Sequence, residues 1–263
     1  MEWPSSDGAI QKNFGWNNEG QPVLGASFGS QGDVRAADYG ELLFQNDGNG
    51  ASRLPSPLGS WTALDHGGGI IGIYSRMGPM NRQIPDIVYA SDVIGGSGIS
   101  GWSNQAGFYF SLFDRKERRW INPEMIINQS PDPRPPVIQA VLLRDSEGRL
   151  FNLAQTGTIS QGRYTIIAET AQIIQGQSLA PFRIICSING IEAGGLNFET
   201  YSARDGVLMV YRNGLVPVRQ VYAPYPAFEL GSTGFTRGQI TLDIIAQDAG
   251  GNSSNITRRF TVE

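Results

Sequence analysis

Histidine and cysteine each occur only once in this 263-residue sequence, at His66 and Cys186. Zinc hydrolases usually hold their metal with two or three histidines, and serine or cysteine nucleophiles usually need a histidine base. A single histidine therefore argues against zinc sites of the common kinds and against a conventional catalytic triad. Cys186 has no partner for a disulfide within the chain, and its apolar neighbours indicate a buried small side chain rather than a nucleophile.

Lysine is also scarce, and the chain is not basic. It has 20 basic and 24 acidic residues, for a net charge of -4, and its only lysines are Lys12 and Lys116. Nucleic-acid-binding proteins are normally basic, so we expect no nucleic-acid partner. No apolar run reaches the roughly 18 residues of a membrane span, so a membrane-spanning protein is not expected either. No signal-peptide pattern follows Met1, which leaves a cytoplasmic protein or one whose signal was removed.

Glycine is abundant, and its distribution is typical of strands joined by tight turns. In the second half, β-prone runs recur about every ten residues, which is the spacing of a β-sandwich. Asn189-Gly190 and Asn213-Gly214 lie between such runs and favour two-residue hairpin turns. No part of this half has apolar residues at helical spacing over several turns. The sequence therefore predicts an all-β fold.

The first half has the same strand and turn pattern. Residues 34–37 and 41–44 flank a turn at 38–40, and residues 61–65 and 70–74 flank His66-Gly67-Gly68-Gly69, so we predict a hairpin at each place. A third hairpin is predicted around the charged turn 114–118. We interpret that turn as a solvated hairpin tip rather than a basic binding patch.

A proline-rich segment gives the sharpest break in composition. Residues 128–136 read NQSPDPRPP, and prolines this dense exclude helix and central strand and favour a stiff, extended connector. We therefore predict two domains, 1–130 and 137–263.

Two glycine motifs match known chemistry but lack its structural context. Residues 25–29 read GASFG, which matches the nucleophile elbow G-x-S-x-G, but no helix is predicted to follow. Residues 96–101 read GSGISG, which matches the dinucleotide-binding pattern G-x-G-x-x-G, again without the helix whose N-terminus would meet a pyrophosphate. We interpret both matches as chance.

As an ordered series, residues 13–127 resemble the LytM/lysostaphin-type zinc metallopeptidases, which cut peptide cross-links in bacterial cell walls. Phe14-Gly15-Trp16 is similar to the opening of that family. Residues 34–43 (VRAADYGELL) and 61–74 (WTALDHGGGIIGIY) resemble its strand pairs. Residues 93–101 (VIGGSGISG) resemble its glycine-rich loop, and 120–123 (WINP) its closing v-N-P. The resemblance implies a LytM-type antiparallel β-sheet domain.

The zinc ligands of the family have no counterpart here. Aligned with its first motif, H-x-G-x-D, the chain has Val23 and Ser27 at the ligand positions. Aligned with its second, H-L-H-F-E, it has Gly107 and Tyr109, and Arg76 replaces the histidine of Y-x-H-L. The resemblance thus implies a pseudoenzyme without a metal or cofactor. It also implies a surviving groove lined by Val23, Ser27, Arg76, Trp102, Gly107 and Tyr109.

The second half resembles bacterial immunoglobulin-like domains, mainly at 242–252 (LDIIAQDAGGN) and in the closing RFTV. Within it, Asp248 and Asn252 are interpreted as holding the turn between the last two strands. Together the resemblances imply a periplasmic or cell-envelope protein, its signal peptide removed, that binds peptidoglycan or regulates a cell-wall amidase or other hydrolase. Two alternatives stay open. One is an active endopeptidase with a relocated metal site or a metal-free mechanism, which would need carboxylates near Tyr109 such as Asp86, Asp92 or Asp114. The other is a purely structural protein-docking module.

Overall fold

The computed structural model describes residues 1–5, 10–29, 32–46, 56–79, 83–127, 134–224 and 226–263. Within these ranges the chain is built from β-strands, with single 3-10 turns at Pro123–Met125 and Val218–Gln220. The predicted all-β class is therefore confirmed. No helix in the described ranges is long and apolar enough to cross a membrane.

The strands of the first half are short to medium in length. They are β1 (Ile10–Lys12), β2 (Asn17–Asn18), β3 (Gln21–Pro22), β4 (Ala26–Phe28), β5 (Asp33–Arg35), β6 (Gly40–Asn46), β7 (Ser60–Asp65), β8 (Ile70–Met77), β9 (Ile87–Val88), β10 (Val93–Gly96), β11 (Phe108–Asp114) and β12 (Arg119–Ile121).

The strands of the second half include several longer ones. They are β13 (Val137–Arg144), β14 (Leu150–Asn152), β15 (Thr158–Ile159), β16 (Gly162–Ile174), β17 (Gln177–Leu179), β18 (Arg183–Ile188), β19 (Ile191–Arg204), β20 (Val207–Tyr211), β21 (Leu215–Pro217), β22 (Ala227–Phe235), β23 (Gly238–Gln247) and β24 (Ser253–Val262).

The first compact unit comprises Met1–Phe14 and Leu24–Ser130. Its main sheet is antiparallel, in the order β12–β11–β8–β7–β6–β9, and β4 pairs with the start of β11. One face of this sheet packs an apolar core rich in aromatic rings. There the rings of Phe28 and Phe108 stack with centroids 4.7 Å apart, and those of Tyr74 and Phe110 approach to 4.9 Å. Aromatic pairs at these distances stabilise a core beyond their buried area.

Two of the three hairpins predicted for this half are confirmed, and one is wrong. β7 and β8 form a hairpin through the glycine turn after His66, and β11 and β12 form one through the charged turn. Residues 34–37, however, do not pair with 41–44, because β5 pairs with β10 and β6 pairs with β7 and β9. Short strands gain their partners from long-range packing, and the turn residues Asp38-Tyr39-Gly40 do not decide the pairing.

The second compact unit comprises Gly15–Val23 and Pro131–Glu263. One sheet has the order β15–β24–β23–β18–β19–β20–β21, and the other contains β14, β13, β16 and β22, with β17 beside the end of β16. Rings from the two sheets meet: Phe198 of β19 lies 5.3 Å from Phe228 of β22, and Phe260 of β24 lies 5.3 Å from Phe235. The unit is therefore a β-sandwich with its core between the sheets.

Local turn signals in this unit are confirmed. The Asn189-Gly190 and Asn213-Gly214 turns have positive φ at all four residues and join β18 to β19 and β20 to β21. Between β23 and β24, the Asn252 backbone N–H donates to Asp248 Oδ1 (2.8 Å) and its side-chain amide donates to Oδ2 (2.9 Å). Each turn is fixed by residues that are adjacent in sequence.

A hairpin from the start of the chain belongs to this second unit. β2 and β3 pair across a turn at Glu19 and Gly20, both at positive φ. The Asn17 side-chain amide donates to the Ala223 carbonyl (2.6 Å), and Trp16 Nε1 donates to the Ser178 carbonyl (2.8 Å). In turn, the buried Tyr222 hydroxyl donates to the Gly15 carbonyl (2.8 Å). Gly15–Val23, which we call the N-terminal hairpin, thus completes the packing of a unit that is otherwise built from residues after 130.

The predicted connector at 128–136 falls largely outside the described residues, because positions 128–133 are not among them. The division into domains 1–130 and 137–263 therefore stays a prediction.

Candidate functional site

A polar stripe crosses three strands of the first unit. In the strand register, Ser27 of β4 lies opposite Tyr109 of β11, and Tyr109 lies opposite Ser75 of β8. Residues directly opposite in an antiparallel pair project from the same face, so all three side chains share the face that looks away from the aromatic core. Ser27 thus lies within a strand that is paired on both sides, and not on a strained strand-to-helix turn.

Arg76 lies at the end of this stripe in an unusual conformation. Its φ is 59°, a value that costs a residue with a Cβ some backbone strain. Its N–H donates to the Leu58 carbonyl (2.7 Å), and its guanidinium carbon lies 5.1 Å from the centre of the Tyr109 ring. That distance is within the range of a cation–π contact. Its Nε is buried and has no hydrogen-bond partner within the described part of the chain.

The Tyr109 hydroxyl lies in a desolvated place. Burial raises the pKa of Tyr109 above its ordinary value, and the smaller opposing effects of the Arg76 charge and of a hydrogen bond with the Leu24 backbone do not cancel it. The phenol therefore stays protonated at neutral pH. It can take part in hydrogen bonds, but it does not supply an anionic oxygen.

Gly107 has no room for a side chain. Its φ is 148°, and a Cβ built on it would lie 2.0 Å from the Phe28 carbonyl oxygen. Two backbone hydrogen bonds of 2.9 Å join Gly107 to Gly98. They fix Gly107 between β4 and the loop that follows β10. The close approach of the Phe28 backbone thus requires glycine immediately before β11.

Trp102 lies in the loop after β10 and is 79% exposed. Its N–H donates to the Pro57 carbonyl (3.2 Å), next to Leu58, whose carbonyl accepts the Arg76 N–H. The backbone N–H groups of Trp102 and Arg76 are therefore hydrogen-bonded to two consecutive residues, Pro57 and Leu58. Val23, the remaining residue of the predicted groove, closes the N-terminal hairpin through bonds with Gly15 and Trp16 and belongs to the second unit.

The single histidine has a structural position away from this stripe. His66 Nδ1 lies 2.8 Å from the Tyr39 carbonyl oxygen, and Nε2 lies 3.2 Å from the Tyr74 hydroxyl. A carbonyl only accepts, so Nδ1 carries the hydrogen and Nε2 accepts from Tyr74. The Tyr74 oxygen meanwhile accepts the Ala37 N–H (2.8 Å). Both ring nitrogens of the neutral tautomer are thus satisfied.

We expect His66 to make the stability of the protein depend on pH near neutrality. Burial lowers its pKa, opposed in part by the Tyr39 hydrogen bond and by Asp38 and Asp65, and supported weakly by the N-terminal ammonium. As pH falls through about 6.5, His66 therefore takes up a proton in the unfolded chain before it does so in the folded protein. The free energy of unfolding decreases as a result. The loss is about 1.4 kcal/mol for each unit by which the folded pKa is lowered.

Denaturant unfolding at several pH values between 7.5 and 5.5, about the range in which histidine titrates, measures this slope. Because the chain has one histidine, His66→Gln should abolish the part of the slope centred near pH 6.5. An unchanged slope in the variant would contradict the assignment.

Within the described ranges, no group of three or more His, Cys, Asp or Glu side chains lies close enough together to hold a metal ion. Two of the three carboxylates considered for a relocated site, Asp92 and Asp114, have local roles. Asp114 accepts the N–H groups of Lys116 and Glu117 at 2.9 and 3.0 Å, and Asp92 accepts the Tyr89 N–H at 2.8 Å. Both carboxylates stabilise turns of their own backbone.

Several solved structures are similar to this chain. No protein of curated function matches the sequence, and one family profile matches residues 135–263. One similar solved structure is the catalytic domain of a mutant of the prophage-encoded M23 protein EnpA from Enterococcus faecalis, at 18% identity and a TM-score of 0.37 over 43% of this chain and 86% of that one.

Two further structures are similar at the same level. The antimicrobial peptidase lysostaphin from Staphylococcus simulans has 16% identity and a TM-score of 0.36 over 86% of this chain and 95% of its own. The SpoIIQ–SpoIIIAH pore forming complex has 18% identity and a TM-score of 0.38 over 49% of this chain and 89% of that one. At such low values these likenesses assign neither a family nor a function to the chain.

Proposed function

We propose that this protein is a non-catalytic member of the LytM-type metallopeptidase family that acts in the cell envelope, where it binds peptidoglycan or regulates a cell-wall hydrolase. The ordered motifs of residues 13–127 support the family. One structural observation carries the non-catalytic role: Gly107, at the position of a family histidine, has no space for any side chain, because the Phe28 carbonyl occupies it.

The other replaced positions also suit zinc poorly. Tyr109 offers a neutral phenol that is hydrogen-bonded to the Leu24 backbone, and the Arg76 guanidinium lies over its ring. A fixed positive charge opposes a divalent cation, and a serine hydroxyl such as that of Ser27 is a weak zinc ligand compared with a carboxylate. These residues do not fit a zinc site, so we assign no metal-dependent step to them.

The same residues suit a ligand that carries a carboxylate. Arg76 has an unpartnered Nε, a planar guanidinium and a ring beneath it that restrains its position, and such an arginine pairs well with carboxylates. Of the two serines in the polar stripe, Ser27 is half-buried, whereas Ser75 is fully buried and donates to the Tyr109 carbonyl (3.4 Å). The exposed Trp102 gives a flat apolar surface in the adjoining segment. A stem peptide of peptidoglycan, with its carboxylates and amides, has the complementary chemistry.

We expect Arg76→Gln to lower retention of the protein on purified peptidoglycan by about 10-fold or more, the loss of one charge-assisted hydrogen bond. Tyr109→Phe keeps the ring under the guanidinium and should have a smaller effect. The measurement is co-sedimentation with insoluble peptidoglycan, with the melting temperature recorded for each variant.

Arg118→Gln is the matched control, because Arg118 is also an arginine at positive φ, 53°, but lies exposed in the β11–β12 turn. Equal retention of wild type and Arg76→Gln would reject the site as the binding surface. About one zinc per chain in elemental analysis, or release of soluble wall fragments, would instead reject the non-catalytic role.

A further inference from the structure

β24 offers an open backbone edge. The Thr261 N–H donates to the Gly157 carbonyl (2.9 Å), and β15 pairs with β24 only at Thr261 and Val262. Main-chain groups of alternate residues point to the same edge of a strand, so those of Asn255, Thr257 and Arg259 point to the β15 side. In the described part of the chain, no backbone group pairs with them there. The opposite edge of β24 is fully paired with β23.

Two depressions adjoin this edge in succession. One, of about 550 Å³, is lined by the start of β13, by Ile173 and by Ser254, Asn255 and Ile256. The other, of about 430 Å³, is lined by Leu153, Ala154 and Thr257, Arg258 and Arg259. The first is mainly apolar, with Val137, Ile138, Ile173 and Ile256, whereas the second contains two arginines. An apolar and a cationic surface thus follow each other along one strand edge.

Arg258 points toward the core side of its strand. Exposure alternates along β24: Asn255, Thr257 and Arg259 are exposed, Ile256 and Arg258 are half-buried, and Phe260 is buried. The Arg258 Nε is buried and has no hydrogen-bond partner among the described residues, and Nη1 makes only a long contact of 3.4 Å with the Thr257 carbonyl. A half-buried guanidinium in this state favours an anionic partner.

We propose that the open edge of β24 between Asn255 and Arg259 binds an extended acidic peptide segment as an added strand. The backbone of the peptide pairs with Asn255, Thr257 and Arg259. An apolar side chain lies beside Ile256, in the first depression, and a carboxylate two positions away pairs with Arg258, in the second. Side chains that share one face of a strand are two residues apart, so the surface selects an apolar residue and an acid separated by one position.

The charges near this surface agree with the proposal. Arg258 and Arg259 line the second depression and Arg134 the first, and the one carboxylate paired directly across from this stretch, Asp243, accepts a hydrogen bond from Thr257 (2.6 Å). The competing explanation is that Arg258 merely protects the edge, since inward-pointing charges on edge strands prevent association between copies.

The test titrates the full chain into two fluorescent peptides of about seven residues, long enough for this edge at about 3.3 Å per residue. Their sequences are Thr-Thr-Val-Thr-Glu-Thr-Thr and Thr-Thr-Glu-Thr-Val-Thr-Thr, which suit parallel and antiparallel addition. We expect one of them to bind, and Arg258→Gln or replacement of the peptide Glu by Gln to weaken binding about 10-fold or more. Hydrogen exchange should slow at the amides of Asn255, Thr257 and Arg259 when the peptide is added.

Arg183→Gln is the matched control, because Arg183 is an exposed arginine of the same sheet, on the inner strand β18. Binding that Arg258→Gln leaves unchanged would overturn the proposal. So would absence of binding by both peptides, and self-association of Arg258→Gln would then show that the arginine only protects the edge. These results are independent of peptidoglycan retention, which concerns Arg76.

Discussion

Replacing Gly107 with alanine is expected to destabilise the first unit by about 4 kcal/mol, since insertion into a packed site and an unfavourable φ each cost about 1 to 3 kcal/mol. The new Cβ would lie 2.0 Å from the Phe28 carbonyl oxygen, a backbone atom that cannot rotate away. β4 would have to separate from β11, which would open the stripe that holds Ser27 and Tyr109. Denaturant unfolding of the variant, followed by tryptophan fluorescence, measures the loss.

Gly231→Ala separates the two causes. Gly231 has a φ of 147°, against 148° at Gly107, but a Cβ there would meet no atom within 4 Å. Its replacement by alanine should lower the free energy of unfolding only by the cost of the unfavourable φ, about 1 to 3 kcal/mol. If both variants lost the same stability, the close approach of Phe28 would not be the cause, and it would no longer exclude a histidine at the position of Gly107.

A fragment of residues 134–263 is expected to be unstable or molten without the N-terminal hairpin. Removing Gly15–Val23 uncovers the ring of Phe198 and the hydroxyl of Tyr222, which is also hydrogen-bonded to the buried Tyr201 hydroxyl. It also removes the donors to the Ser178 and Ala223 carbonyls and the Gly15 carbonyl that accepts from the Tyr222 hydroxyl. Three hydrogen bonds at about 1 kcal/mol each, with the lost apolar burial, are a large part of the stability of a small domain.

A synthetic peptide of residues 15–23, added at saturating concentration, should restore a cooperative thermal transition to the fragment. The matched control peptide replaces Trp16 and Asn17 with alanine and should restore much less. A fragment that melts cooperatively at the same temperature with and without the peptide would show that the hairpin is dispensable. That outcome would favour the simpler division into domains 1–130 and 137–263.

Local signals in the sequence predict the turns, and distant packing decides the rest of the fold. Asn189-Gly190 and Asp248 with Asn252 form their predicted turns because the residues that fix each turn are neighbours in the chain. The pairing of β5 with β10 could not be predicted, because strands of a few residues take their partner from the whole core. Membership of the N-terminal hairpin in the second unit depends on contacts such as Asn17 with Ala223, 206 residues apart.

The candidate site was likewise only partly predictable. The resemblance to a peptidase family indicates Ser27, Gly107 and Tyr109 as neighbours, but it contains nothing about the Arg76 guanidinium over the Tyr109 ring. For β24, the pattern Ile256, Arg258, Phe260, Val262 does contain a usable signal. Arg258 is a charged residue at a position where the alternating pattern of the strand otherwise has apolar residues. That pattern alone makes it a candidate for binding.

The position of the N-terminal hairpin has a consequence for synthesis on the ribosome. Asn17 and its partner Ala223 are separated by 206 residues, and chains grow by about 5 to 20 residues per second. The strands that the hairpin covers are therefore synthesised on the order of 10 to 40 seconds after the hairpin itself. During that interval its Trp16 indole is available to other partners, so chaperones that bind nascent chains should contact this segment earlier and longer than any later part of the second unit.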